Sequence, residues 1–287
     1  MVISKPLMSE SKIKKFNHLK IHSQYSICEG AIKIDDLKDF SKENKLKSLA
    51  LCDTINLCGA LEFSEKISKI GTQPIIGTQI NFKFGDIIGL LPLYALNEHG
   101  YKRIIELSSL SYLKNDKLSE PHLDFDELLS KNEGIAIFSG TINGLFGQLF
   151  DKAKFSEIEK LYSKLKEKYN DLFYIEIQRH GDQNETIFEK FNLSKSLELE
   201  IPLIATHEVF YLNKDMHEAH DALICIKNKT YVNEKNRIKF TDQHYLKNDL
   251  EMSKLFVDLP EALENNYNFP YRCSFRPLFS KPILPNI

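Results

Sequence analysis

The chain has 287 residues, of which 42% are hydrophobic and 27% charged, with a formal net charge of −2. Such a composition belongs to a folded globular chain and excludes a disordered one. The near-neutral charge lacks the basic excess typical of nucleic-acid-binding domains, and no apolar run approaches the roughly 20 residues that span a bilayer.

Residues 1–15 read as an N-terminal arm. They lack the apolar core of a signal peptide. Their "KIKK" cluster at 12–15 is expected to be a soluble terminus, contact with DNA or an acidic partner being the alternative. The five cysteines show no CxxC spacing, which fits reduced thiols in a cytoplasm.

Seven strands are then expected in chain order: "NHLKIH" (17–22), "SLALCD" (48–53), "PIIGTQINF" (74–82), "IIGLLPLYAL" (87–96), "GIAIFSG" (134–140), "LFYIEIQRH" (172–180) and "IPLIATHEVFYL" (201–212). Several are near-continuous aliphatic runs, as in strands covered on both faces. The segments between them read as helices. "IDDLKDFSKENK" (34–45) is acidic at its start and basic at its end, matching the helix dipole. "GALEFSEKISKIG" (59–71) stops on glycine, and "KFSEIEKLYSKLKEKY" (154–169) carries one apolar stripe. Strand–helix alternation predicts a parallel sheet with right-handed crossovers, and seven units favour closure into a barrel. Beyond 212 the pattern changes. A helix is expected at 215–228, a polar stretch follows, and a further helical pattern covers 259–269. The tail from 271 to 287 reads as the start of a linker, so the chain is expected to be the front of a longer protein.

In a barrel of this kind a site forms at the C-terminal strand ends. The residues there are His18, Lys20 and His22; Asp53 and Thr54; Gln79; Leu90; Ser139 and Thr141; His180; and His207, Glu208 and Phe210. Histidines and carboxylates point to metal-assisted hydrolysis. The lysine, amide, leucine and phenylalanine interrupt the ring. Lys20 would oppose a bound cation, and Gln79 lacks the negative charge that holds Mn²⁺ or Zn²⁺ tightly. His22 and Asp53 could keep a single metal, or belong to a polar network in which Lys20 pairs with Asp53 or Glu208. His180 reads as a loop histidine, and His217 and His220, spaced i, i+3, as a solvated helix face without the HExxH pattern. No P-loop, GxGxxG or GxSxG motif occurs, so nothing supports ATPase, dehydrogenase or serine-hydrolase chemistry.

Ordered blocks along the chain carry a resemblance: "FNHLKIHSQYSICEGAIKIDDL", "LALCDTINLCGALEF", "QPIIGTQINF", "ALNEHGYKRIIELSSLSYL", "LFYIEIQRHG", "IPLIATHEVFYL" and "EAHDALICIKNKTYV". They resemble the PHP (polymerase and histidinol phosphatase) domain, in the form at the N-terminus of bacterial replicative polymerase alpha subunits. The resemblance implies a distorted (β/α)₇ barrel over 16–270, with a C-terminal helical extension, and a join to the polymerase palm over 271–287. Metal-competent members carry histidine at the positions of Lys20, Thr54, Leu90 and Phe210, glutamate at Gln79 and aspartate at Glu208. His22, Asp53 and His180 match the pattern, and Glu29 falls where a carboxylate is common. The vestigial positions are therefore Lys20, His22, Glu29, Asp53, Thr54, Gln79, Leu90, His180, Glu208 and Phe210.

The same resemblance implies a metal-free scaffold without catalytic residues or cofactor of its own. It would dock the epsilon proofreading exonuclease and brace the palm. The parent would be a cytoplasmic DNA-directed DNA polymerase of DNA replication, a nucleotidyltransferase that uses Mg²⁺ at palm carboxylates. Its further partners would be the other holoenzyme subunits and primer-template DNA, with no membrane. The alternative is a residual metal-dependent phosphoesterase or 3′–5′ exonuclease in the same barrel.

Overall fold

The computed structural model describes residues 16–115, 119–130 and 132–281. The "KIKK" arm and the last six residues of the tail lie outside them. Strands are β1 (Lys20–Ile21), β2 (Ser48–Thr54), β3 (Gln73–Phe84), β4 (Ile87–Ala95), β5 (Leu123–Asp124), β6 (Ile135–Phe138), β7 (Phe173–Ile177), β8 (Leu203–Ala205) and β9 (Glu208–Val209). The helices are α1 (Ile34–Glu43), α2 (Ala60–Ser68), α3 (Glu98–Leu113), α4 (Phe125–Ser130), α5 (Leu145–Asp151), α6 (Phe155–Tyr169), α7 (Gln183–Leu199), α8 (His217–Asn228), α9 (Asp249–Leu255) and α10 (Pro260–Asn268).

The main sheet runs β2-β3-β4-β6-β7-β8, with β5 beside β3. The ring then closes. β9 follows β8 after two residues and pairs in parallel with β1, Lys20 opposite Glu208. The Ala50 amide donates to the His18 carbonyl at 2.9 Å, joining the β1 segment to β2. The result is the expected distorted (β/α)₇ barrel.

The expectation of an all-parallel sheet fails at one place. β4 runs antiparallel to both β3 and β6. Only Gly85 and Asp86 separate β3 from β4, and a parallel crossover needs a dozen or more residues. The two strands therefore form a hairpin, with Gly85 at φ +61, a conformation glycine adopts without strain. The "NHLKIH" and "IPLIATHEVFYL" strands are also shorter than the pattern suggests. The second breaks at Thr206–His207, where the chain shifts from pairing with β7 to pairing with β1. The polar stretch after α8 hides α9, started by Asn248, whose side chain accepts from the amides of Leu250 and Glu251.

The barrel interior is layered. Its base is aromatic: Tyr94, Phe138 and Tyr174 surround Phe269, which follows α10 and plugs the end. Apolar helix faces cover the outside, α1 and α2 on the β1–β3 side and α3 to α7 with α10 on the rest. Above the aromatic base the interior turns polar and ionic.

Candidate functional site

The polar layer begins with Lys20. Its side chain is fully buried, and its ammonium lies 3.5 Å from Glu208 Oε1 and 3.6 Å from Glu176 Oε2. Burial opposes its charge, but the two carboxylates outweigh burial and raise its pKa. Glu208 responds in kind. Burial would push its pKa up, yet Lys20 and His22 hold it well below the usual carboxylate range.

His22 sits one layer above. Its Nε2 is 3.1 Å from Glu208 Oε1 and 3.1 Å from Gln79 Nε2, while Gln79 also donates to Glu208 Oε1 at 3.1 Å. In the Nε2–H tautomer His22 and Gln79 both donate to the carboxylate and are not bonded to each other, and Thr54 Oγ1 donates to Nδ1 at 3.3 Å. Phe210 stacks on the imidazole at 4.7 Å.

Asp53 does not touch Lys20 or Glu208 and joins this network only through Ser26, whose Oγ lies 3.2 Å from His22 Nδ1. Strand alternation turns Cys52 and Thr54 to the barrel interior and Asp53 to the other face. There Oδ1 accepts from the Ser23 amide and Ser26 Oγ, both at 2.7 Å, and Oδ2 from Ser23 Oγ at 2.8 Å. These partners are neutral, so burial dominates and its pKa is raised. Of the two carboxylates expected beside Lys20, Glu208 pairs with it and Asp53 does not; Glu176 is the second partner. Sequence reasoning missed Glu176, although a lone carboxylate within the apolar "FYIEI" of β7 was a signal.

The remaining positions scatter around the mouth. Glu29 pairs with Lys227, and its carbonyl accepts from His220 Nε2 at 2.8 Å. Leu90 lies midway along β4, at the rim of the cleft. Ser139 Oγ accepts from the Glu176 amide at 2.9 Å, holding β7 against β6, and Thr141 lines the cleft. His180 lies in the loop between β7 and α7, as expected, but it is not exposed there. It is buried, bonds Glu185 Oε1 at 2.8 Å, and stacks between His207 at 4.5 Å and His244 at 3.9 Å. Nor is the α8 pair solvated as a unit: His220 is buried against Phe210, while His217 contacts Tyr211. His18 and His207 bond the carbonyls of Lys247 and Tyr245. Both tie the segment before α9 to the barrel, a use of histidine that the pattern of strand ends did not reveal.

Residues able to hold a divalent ion are accordingly dispersed or engaged. Among the described residues no group of three or more His, Cys, Asp or Glu side chains is arranged for a metal. Glu208 Oε1 faces a lysine, an imidazole and an amide, and Lys20 places a fixed positive charge inside the ring. The residues present do not fit the metal centre of metal-competent PHP domains. No helix among the described residues is long and apolar enough to cross a membrane.

Comparison with known proteins gives the family of the chain. The PHP domain family matches residues 18–180. The DNA polymerase III subunit alpha of Caulobacter vibrioides is 35% identical over 292 residues, covering 97% of this chain and 25% of that protein. The subunit of the same name from Rickettsia conorii is 38% identical over 277 residues, covering 95% and 23%. That of Borreliella burgdorferi is 35% identical over 285 residues, covering 95% and 25%. The chain thus spans about a quarter of the length of these curated relatives.

Proposed function

The chain belongs to the PHP domain family, and from that premise we propose that it is the metal-free N-terminal domain of a DNA polymerase III alpha subunit. The longer protein would be a DNA-directed DNA polymerase of the bacterial cytoplasm, with Mg²⁺ and its catalytic carboxylates in a palm outside this sequence. The barrel would dock the epsilon proofreading exonuclease and brace the palm through residues 271–287.

One observation carries the metal-free reading: the Lys20 ammonium lies between Glu176 and Glu208. A tethered cation there neutralises the carboxylates from within, so a divalent ion gains little and meets repulsion at short range.

The test is metal content after incubation of the chain with Mn²⁺ and Zn²⁺ and desalting. A value near zero supports the scaffold. Two or more equivalents, with phosphoesterase or 3′–5′ exonuclease activity, overturn it. A combined Lys20→His, Thr54→His, Gln79→Glu and Phe210→His variant should then gain metal, because all four positions surround His22 and Glu208. Docking is tested by sedimentation of the chain with the epsilon subunit: a 1:1 complex is expected, and two independent boundaries would refute that part.

A further inference from the structure

Above the ionic layer the barrel opens into a cleft of about 690 Å³, a size typical of ligand sites. Its lining is mixed. Ile27, Ile224 and Ile238 contribute from the loop after β1 and from α8 and the segment beyond it, and Ile88, Leu90 and Ile142 from β4 and the approach to α5. Ile27 is 79% exposed and Ile238 59%, so aliphatic surface reaches water at the rim.

The charges in the cleft divide into two kinds. Glu29 and Glu208 are neutralised by Lys227 and Lys20. Glu120 and Asp151, also in the lining, make no ion pair among the described residues. Among the described residues the Glu120 carboxylate accepts from the neutral Asn81 amide, at 3.0 Å. Burial and the carboxylate of Asp182 raise the Asp151 pKa, as expected of a carboxylate without a cation. The cleft therefore presents apolar walls with uncompensated negative charge. A phosphodiester strand is repelled by such a surface, and a basic segment with aliphatic side chains is attracted to it.

We propose that the cleft docks an extended segment of a partner protein in which lysine or arginine alternates with aliphatic residues. Aliphatic side chains would pack on the Ile27–Ile238 and Ile88–Ile142 surfaces, and the cations would meet Glu120 and Asp151. This rests on the reading of the barrel as a docking platform and names the chemistry of what one of its faces accepts.

The test titrates the ¹⁵N-labelled full chain with a heptapeptide alternating leucine and lysine, and with the same peptide carrying glutamate for lysine. Amide shifts are expected at Ile27, Ile142, Asp151 and Ile238, with affinity for the lysine peptide at least about tenfold higher. A Glu120→Gln/Asp151→Asn variant should weaken it by about fivefold, the scale of two exposed charge contacts. Equal binding of the acidic peptide, an unchanged affinity in the double variant, or shifts elsewhere would overturn the proposal. So would equal occupancy by spermidine alone or by a single-stranded oligonucleotide. The two readings fail separately. Uptake of Mn²⁺ sinks the scaffold whatever the peptide does, and a metal-free chain that ignores the lysine peptide sinks only this inference.

Discussion

Two carboxylates of the barrel mouth, Asp53 and Glu208, are both buried, and burial pushes both toward protonation. They shift in opposite directions. Glu208 is held well below it because Lys20 and His22 stand beside it. Asp53 is raised because burial outweighs the hydrogen bonds donated by its serine and amide partners. Hydrogen bonds from neutral donors lessen the cost of burying a charge but do not cancel it; a buried cation does. The difference separates a cluster that has replaced an ion with a lysine from one that has only been lined with donors.

The largest break in this comparison comes from Lys20→Met. It leaves Glu176 and Glu208 buried beside each other without a cation, and should cost about 3–5 kcal/mol in urea denaturation. A loss below about 1 kcal/mol would mean that the carboxylates are not charged together, and the ionic reading of that region would fall.

Acid should act next. Burial lowers the His18 pKa from 6.5 to about 4. A base depressed in the folded state leaves stability intact above the unfolded pKa, near 6.5. The contribution is lost as pH falls, because the unfolded chain takes the proton first. From His18 alone the loss should reach about 3 kcal/mol by pH 4. His207 and His244, lowered further by burial, add in the same direction. Denaturation curves from pH 7 to pH 4 check this, and a His18→Asn variant should flatten the slope.

On the Asp53 side, Ser26→Ala removes a 2.7 Å donor to the buried carboxylate and the acceptor of the Thr54 amide. It should cost about 1–3 kcal/mol. A Lys20-sized loss would erase the distinction between the two clusters.

The finest test compares slopes. Glu208 is depressed, so its contribution is present above pH about 4.3 and fades as pH falls. The cost of Glu208→Gln should shrink toward acid. Asp53 is raised, so its contribution is complete below pH about 3.9 and fades as pH rises through its folded pKa. The cost of Asp53→Asn should shrink toward neutrality. Each slope is bounded by about 1.4 kcal/mol per pH unit. Parallel slopes for the two variants, measured between pH 3.5 and pH 6.5, would refute the contrast.

Much of this was legible before the fold was seen. Aliphatic runs and helix stripes are local, and the seven barrel strands lie within the stretches where β-rich pattern occurs. Polar residues read as strand ends marked His22, Gln79 and Glu208 as neighbours, although β3 runs five residues past Gln79. The family resemblance also read correctly from ordered blocks. The sequence by itself therefore determined the kind of barrel and marked several of the residues that meet at its mouth. Tertiary structure decided the rest. A two-residue link reversed β4, a one-residue parity step turned Asp53 away from Lys20, and β7 brought in Glu176 from an apolar strand. The break at Thr206–His207 and the return of the segment before α9 buried His18, His180, His207 and His244 together. Those outcomes depend on which strands lie side by side and on which face each residue presents, and a one-dimensional pattern carries neither until the ring has closed.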